Sequence, residues 1–106
     1  MASSFDDRKN SFESRFAHDA ELQFKVEARR NRLLGEWAAG ILGYEGDRKS
    51  EYAKEVVRAD FEEAGDEDVF RKVSSDLGEK VPAAEIRAKM EALKAEAKAQ
   101  VMSETR

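Results

Sequence analysis

Four features of this chain have residue types and spacing that could do chemistry. Asp66-Glu67-Asp68 concentrates carboxylates, the oxygen ligands that hard cations take. Arg29-Arg30-Asn31-Arg32, with Lys25 a turn earlier, is the densest cationic cluster and could meet a phosphate or an acidic protein surface. Phe5, Phe12 and Phe16 stand in the polar stretch SFDDRKNSFESRFAH with no Leu, Ile or Val beside them. At about 100° per residue, the three rings fall within roughly 40° of one another on a helix. His18, the single histidine, closes that stretch, where its titration near neutral pH could bias the junction with the next segment.

Each feature also has a plain structural reading. The acidic run matches no calcium loop and is accounted for by a helix start, where carboxylates meet the positive end of the dipole. Three arginines along one turn make an ordinary solvated face. His18 has no partner that can be named and reads as a surface residue. No nucleophile with a base, phosphate-cradling glycine loop or metal-ligand cluster can be assembled, so the chain does not read as an enzyme. The absence of cysteine excludes disulfides and thiolate chemistry, and a single histidine excludes a multi-histidine zinc site. A formal charge of −4 offers nucleic acid no long-range attraction. With only short apolar runs and no hydrophobic signal core, the sequence predicts a cytoplasmic protein without direct membrane insertion.

The elements that must position these residues come from apolar periodicity. At 106 residues the chain suits one domain, and 40% charged residues with 41% apolar ones suit a helical protein with a solvated surface. The spacing predicts helices over about 20–42, 50–64, 67–77 and 83–103. Their core faces are Leu22, Val26, Leu33, Leu34, Trp37 and Ile41; then Tyr52, Val56, Val57 and Phe61; then Val69, Phe70, Val73 and Leu77; then Ile86, Met90, Leu93, Ala97 and Val101. Asp47 or Ser50 is available as one N-cap and Asp66 as another. Gly65 and Gly78 suit helix ends, and Pro82 suits the first turn of the last helix. Glu85 with Lys89 and Arg87 with Glu91 form four-residue pairs on its outside. The expected fold is all-α: a four-helix bundle over 20–106, with residues 1–19 as a mobile or partly helical N-terminal arm.

Ser4 with Asp7 three residues on resembles a capping box, so local signals start a helix near Phe5. A helix of this length is marginal alone. Burying three rings contributes about 1.5 to 3 kcal/mol each, whereas ordering the backbone costs roughly 1 to 2 kcal/mol per residue before other contacts offset it. The rings therefore need a surface that supplies more than themselves. Physics leaves two destinations open, the bundle's own face and a groove on a partner.

Two stretches carry a family resemblance. DRKNSFESRFAHDAELQFKVEARRNRLLGEWAA, Asp7 to Ala39, and YAKEVVRADFEEAGDEDVFRKV, Tyr52 to Val73, closely resemble the ζ subunits of alphaproteobacterial F-type ATP synthases. The similarity continues more weakly through AAEIRAKMEALKAEAKAQ. The resemblance implies a regulatory protein that inhibits ATP hydrolysis, peripherally associated with the membrane-bound synthase. In this picture its arm becomes helical on entering an interface of the α and β subunits, reaches the central γ shaft and stops rotation in the hydrolytic direction. It places the arm at Ser4 to about Asp19, with Phe5, Phe12 and Phe16 as anchors and Arg8, Lys9, Glu13 and Arg15 as polar contacts. It further implies regulatory ADP or ATP on the bundle, for which Arg29, Arg30, Arg71 and Lys72 are selected on charge alone. The loops at Gly43 to Ser50 and Leu77 to Ala84 depart from the family pattern, and so does Pro82 as a helix start. Two alternatives of other classes stand beside this reading: a nucleotide-sensing bundle whose ligand state controls the arm, and a general helical adaptor.

Overall fold

The computed structural model describes the backbone of residues 4–60 and 66–104, with side chains from residue 11 onward. Phe61, Gly65 and the side chains of Phe5, Arg8 and Lys9 lie outside this description. Among the described residues five α-helices follow one another: α1 (Ser4–His18), α2 (Ala20–Leu42), α3 (Gly46–Ala59), α4 (Glu67–Leu77) and α5 (Ala83–Glu104), with a 3-10 turn at Gly78–Lys80 before the last. No strand occurs among the described residues, and the fold is all-α as the periodicity requires.

α2 occupies the centre and packs against each of the other four helices. The main core joins Leu34, Ala38 and Ala39 of α2 to Tyr52 and Val56 of α3, Val69, Val73 and Leu77 of α4, and Ile86, Met90 and Leu93 of α5. A second, smaller cluster joins Phe12 of α1 to Leu22 and Val26 of α2 and Ala97 and Val101 of α5. The stripe expected on α5 is thus buried throughout, its first three members in one cluster and its last two in the other. Each fully buried Val, Leu or Ile contributes about 1.5 to 3 kcal/mol through removal from water.

The face that α2 buries keeps Leu22, Val26 and Leu34 of the expected stripe and departs from it toward the helix end. Ile41 is 36% exposed, and Trp37 is only half-buried beneath the Lys89 ammonium. Buried in their place are Gly35, Ala38 and Ala39. The reason is proximity: a Cβ at Gly35 would stand 2.6 Å from the Cα of Ala53, so α3 crosses α2 at near backbone contact. Small residues make that approach sterically possible.

Helix boundaries also differ from those the periodicity suggests. α3 begins at Gly46, with Glu45 in the cap position and no side-chain cap bond, so neither Asp47 nor Ser50 caps it. Gly43 ends α2 in the left-handed region (φ 84°), and the Tyr44 N–H then reaches the Ala39 carbonyl at 2.9 Å. Tyr44 packs edge-on against Tyr52 and carries the Arg48 guanidinium 4.4 Å from its ring centroid. These contacts let α3 start after a three-residue turn. The Pro82 carbonyl accepts from the N–H groups of Glu85 and Ile86, which places the proline just ahead of the first helical residue. Arg87 and Lys89 serve neighbouring helices, Arg87 pairing with Glu67 over the Phe70 ring and Lys89 lying over Trp37.

Candidate functional site

The site begins where the chain leaves helical geometry. Asp19 is extended (φ −108°, ψ 102°) and separates α1 from α2, so the two are not one continuous helix. Its carboxylate accepts from the Leu22 N–H at 3.1 Å and caps α2, while its own N–H donates to the Arg15 carbonyl at 2.8 Å and closes α1. The Gln23 side-chain amide donates to the Phe16 carbonyl at 2.7 Å and ties the end of α1 to the first turn of α2. One short-chain residue thereby forms a junction with both flanking helices satisfied.

From this junction α1 lies back on the other helices. Phe12 is 3% exposed among Leu22, Val26, Ala97 and Val101, and its ring stacks on half-buried Phe16 at 6.1 Å between centroids. Lys98 holds the pair from α5. Its ammonium lies 2.8 Å from a Glu13 carboxylate oxygen and 4.5 Å from the centroid of Phe16. Beside them a cavity of about 290 Å³ opens between Phe12, Glu13, Ala95, Lys98, Ala99 and Met102. Arg15 and His18 are exposed to solvent. The structure thus gathers Phe12, Glu13 and Phe16 at one seat and leaves Arg15 outside it. The seat's bundle side, above all Lys98 and Gln23, does not stand out in the sequence. One signal points to it, because Ala97 and Val101 extend the α5 stripe and need a cover.

The cationic cluster is not the uniformly solvated face that its spacing suggests. Arg30 is 2% exposed and donates from Nε to Asn31 Oδ1 at 2.7 Å and from Nη2 to Asp66 Oδ1 at 2.9 Å. Its hydrogen bond holds the Asp66 carboxyl below the usual range, against partial burial. Burial raises Glu27, reinforced by Asp60 and Asp66, and burial likewise raises Asp60 against the opposing pull of the Asn31 side chain and Arg30. Asn31 is fully buried, and its Nδ2 makes no hydrogen bond of good geometry. Arg29 reaches α5 instead, with both Nη atoms on the Glu104 carboxylate at 2.7 and 2.8 Å and Nη1 on Gln100 at 2.8 Å. Arg71 and Lys72 line a depression with Ala59 and Asp68, and Lys72 pairs with Asp76 at 3.1 Å. Of the four cations selected for a nucleotide, Arg29, Arg30 and Lys72 are therefore held by carboxylates of the chain itself.

The acidic run is likewise committed. Asp66 stands in the cap position of α4 but turns its carboxylate to Arg30 rather than to the helix N–H groups. Glu67 pairs with Arg87, and Asp68 accepts from the Val69 N–H at 2.9 Å. Among the described residues no group of three or more His, Cys, Asp or Glu could hold a metal ion, and no helix is long and apolar enough to cross a membrane.

Comparison with known proteins gives this geometry a context. No curated protein matches the chain. A solution NMR structure does: its protein is 63% identical over 78% of this chain and 98% of that one, with a TM-score of 0.73. The family model described as ATPase inhibitor subunit zeta matches residues 1–100.

Proposed function

We propose, from the premise that this chain belongs to the ATPase inhibitor subunit zeta family and is a regulatory protein rather than an enzyme, that it inhibits an F-type ATP synthase with its N-terminal arm. The arm leaves the bundle at Asp19, enters an interface of the α and β subunits, and opposes rotation of γ in the hydrolytic direction. Phe12 and Phe16, with Phe5, anchor it there, while Arg8, Lys9, Glu13 and Arg15 make polar contacts. The protein then acts at the synthase without entering the membrane.

The observation that supports this reading is that the two apolar clusters share, among the described residues, only half-buried Leu33 of α2. Among the described residues none of α1 belongs to the main core of α2 to α5. Undocking α1 therefore opens the small cluster around Phe12 and leaves the remaining helices packed. Insertion coupled to ordering also supplies a direction. An interface that tightens in one rotational sense retains the arm, and one that opens releases it. No chemistry in the inhibitor is required.

The test compares the full chain with a version starting at Ala20, each added to the purified catalytic head during ATP hydrolysis. Inhibition by the first and none by the second is expected. Equal inhibition by both would remove the arm from the mechanism, and equal effects on hydrolysis and synthesis would remove its directionality.

A further inference from the structure

A second surface lies further along α2, beyond the Asp19 junction. A cavity of about 480 Å³ runs between α2 and α3, lined by Arg32 and Glu36 on one side and Ser50, Ala53, Lys54, Val57 and Arg58 on the other. Its floor is apolar, made by buried Ala53 and half-buried Val57, and its rim carries three cations against one carboxylate. The close approach at Gly35 and Ala53 fixes the two helices and hence the shape of the groove.

The rim cations differ from six other cations of this chain. Arg29, Arg30, Arg48, Lys72, Arg87 and Lys98 are each within ion-pair distance of a carboxylate. Among the described residues no ion pair or side-chain hydrogen bond is made by Arg32, Lys54 or Arg58, and Arg32 acts on Glu104 only at longer range. In a chain of net charge −4, three such cations around an apolar floor form a local field of opposite sign.

The geometry points to this groove as a second docking surface, for an acidic amphipathic helix of the protein that the arm engages. Ser50 to Arg58 spans about 12 Å of helix, enough to seat roughly two turns of a partner. Apolar side chains of that helix would lie on Ala53 and Val57, with its carboxylates four residues apart reaching Lys54 and Arg58. Glu36 repels a wholly acidic surface and favours a donor at that end, which sets orientation. Arg32 stands thirteen residues beyond Asp19, about 20 Å along α2, so a partner holding the arm comes within reach of the groove. The two contacts together raise the effective concentration of each. The inference rests on the proposed action at the synthase head.

The test measures equilibrium binding of the full chain to the purified head at low and at raised salt. The variants are Lys54→Glu with Arg58→Glu and, as a milder pair, Lys54→Gln with Arg58→Gln. Both positions are solvent-exposed, and circular dichroism checks that helix content is kept. The charge-reversed pair is expected to bind about tenfold more weakly at low salt and to lose most of the salt dependence, with the neutral pair intermediate. If the charge-reversed pair does not fold, the neutral pair decides by the same criterion. Wild-type Lys54 is also expected to couple to an Asp or Glu of the head under carbodiimide, forming an amide while the reagent takes up the displaced oxygen as its urea. Unchanged affinity and salt slope, or absence of that cross-link, overturns the second surface while leaving the arm reading intact. Failure of the wild-type chain to bind the head overturns both.

Discussion

Replacing Phe12 by Ala should release the arm while sparing the bundle. Phe12 is 3% exposed and stands at the centre of the small cluster, and truncating a buried Phe costs about 3 to 5 kcal/mol where the structure cannot evade the loss. Here it can. The other contacts of the seat are the Glu13–Lys98 pair, with Glu13 47% exposed, worth about 0.2 to 1 kcal/mol, the Lys98 ammonium over the Phe16 ring, worth about 0.5 to 1 kcal/mol, and the Gln23 bond to the Phe16 carbonyl, worth about 0.5 to 1.5 kcal/mol. Half-buried Phe16 adds a fraction of a ring's burial. These terms do not hold a helix against its ordering entropy once Phe12 is gone. The cost to global stability is therefore capped at the arm's docking free energy, because local release is cheaper than unfolding. Amide exchange resolved by residue should show protection of 11–18 collapsing, with Leu34, Val56, Val73 and Met90 shifting by less than about 1 kcal/mol. Leu34→Ala, in the main core, should instead destabilise the whole bundle by about 2 to 5 kcal/mol. Arm and core amides accelerating together in Phe12→Ala would refute the separation of the clusters, and so would an unaltered arm.

Lys98→Ala removes the latch without touching the arm. About 1 kcal/mol of ion-pair and cation–π attraction is lost, so the open population rises roughly fivefold and inhibition of hydrolysis in a titration should strengthen correspondingly. Gly35→Ala forces a Cβ to 2.6 Å from the Ala53 Cα and should destabilise by about 1 to 3 kcal/mol in denaturant titration, whereas Gly40→Ala, with nothing within 4 Å, should stabilise by about 0.4 to 1 kcal/mol. Asp66→Asn strips the charge opposite buried Arg30 and should cost about 2 kcal/mol at neutral pH, below the 3 to 5 kcal/mol of a fully buried pair because Asp66 is 45% exposed. Since the Asp66 carboxyl is held below its ordinary value of 3.8, its stabilisation is full above that pH and is lost as pH falls through the lower folded value. The gap between wild type and Asp66→Asn, followed by unfolding at a series of pH values, should close only in that acid range. Tyr52→Phe removes the 2.8 Å bond to Asp76 and should lower the melting midpoint by the equivalent of about 1 to 2 kcal/mol, while Lys72 remains to hold Asp76.

Much of this molecule is legible in its sequence because helices announce themselves through local periodicity. The α5 stripe of Ile86, Met90, Leu93, Ala97 and Val101 is buried as its spacing requires, and Gly43 and Gly78 stand past the ends of their helices because positive φ is cheapest for glycine. The grouping of Phe12 and Phe16 on one face also comes from angle alone. Where side chains go once helices meet does not. Toward the end of α2, Trp37 and Ile41 gave way to Gly35, Ala38 and Ala39, since the gap between two helix axes is a property of the pair and small residues leave no trace in a stripe of large ones. Arg30 reads as surface until Asp66, thirty-six residues later, supplies its counter-charge. Lys98 and Glu13 are separated by almost the whole chain, so their contact exists only through the packing of α1 on α5. Sequence determined the elements and the faces they offer; only tertiary structure decided which face each one met, because burial and charge pairing depend on neighbours that are distant along the chain.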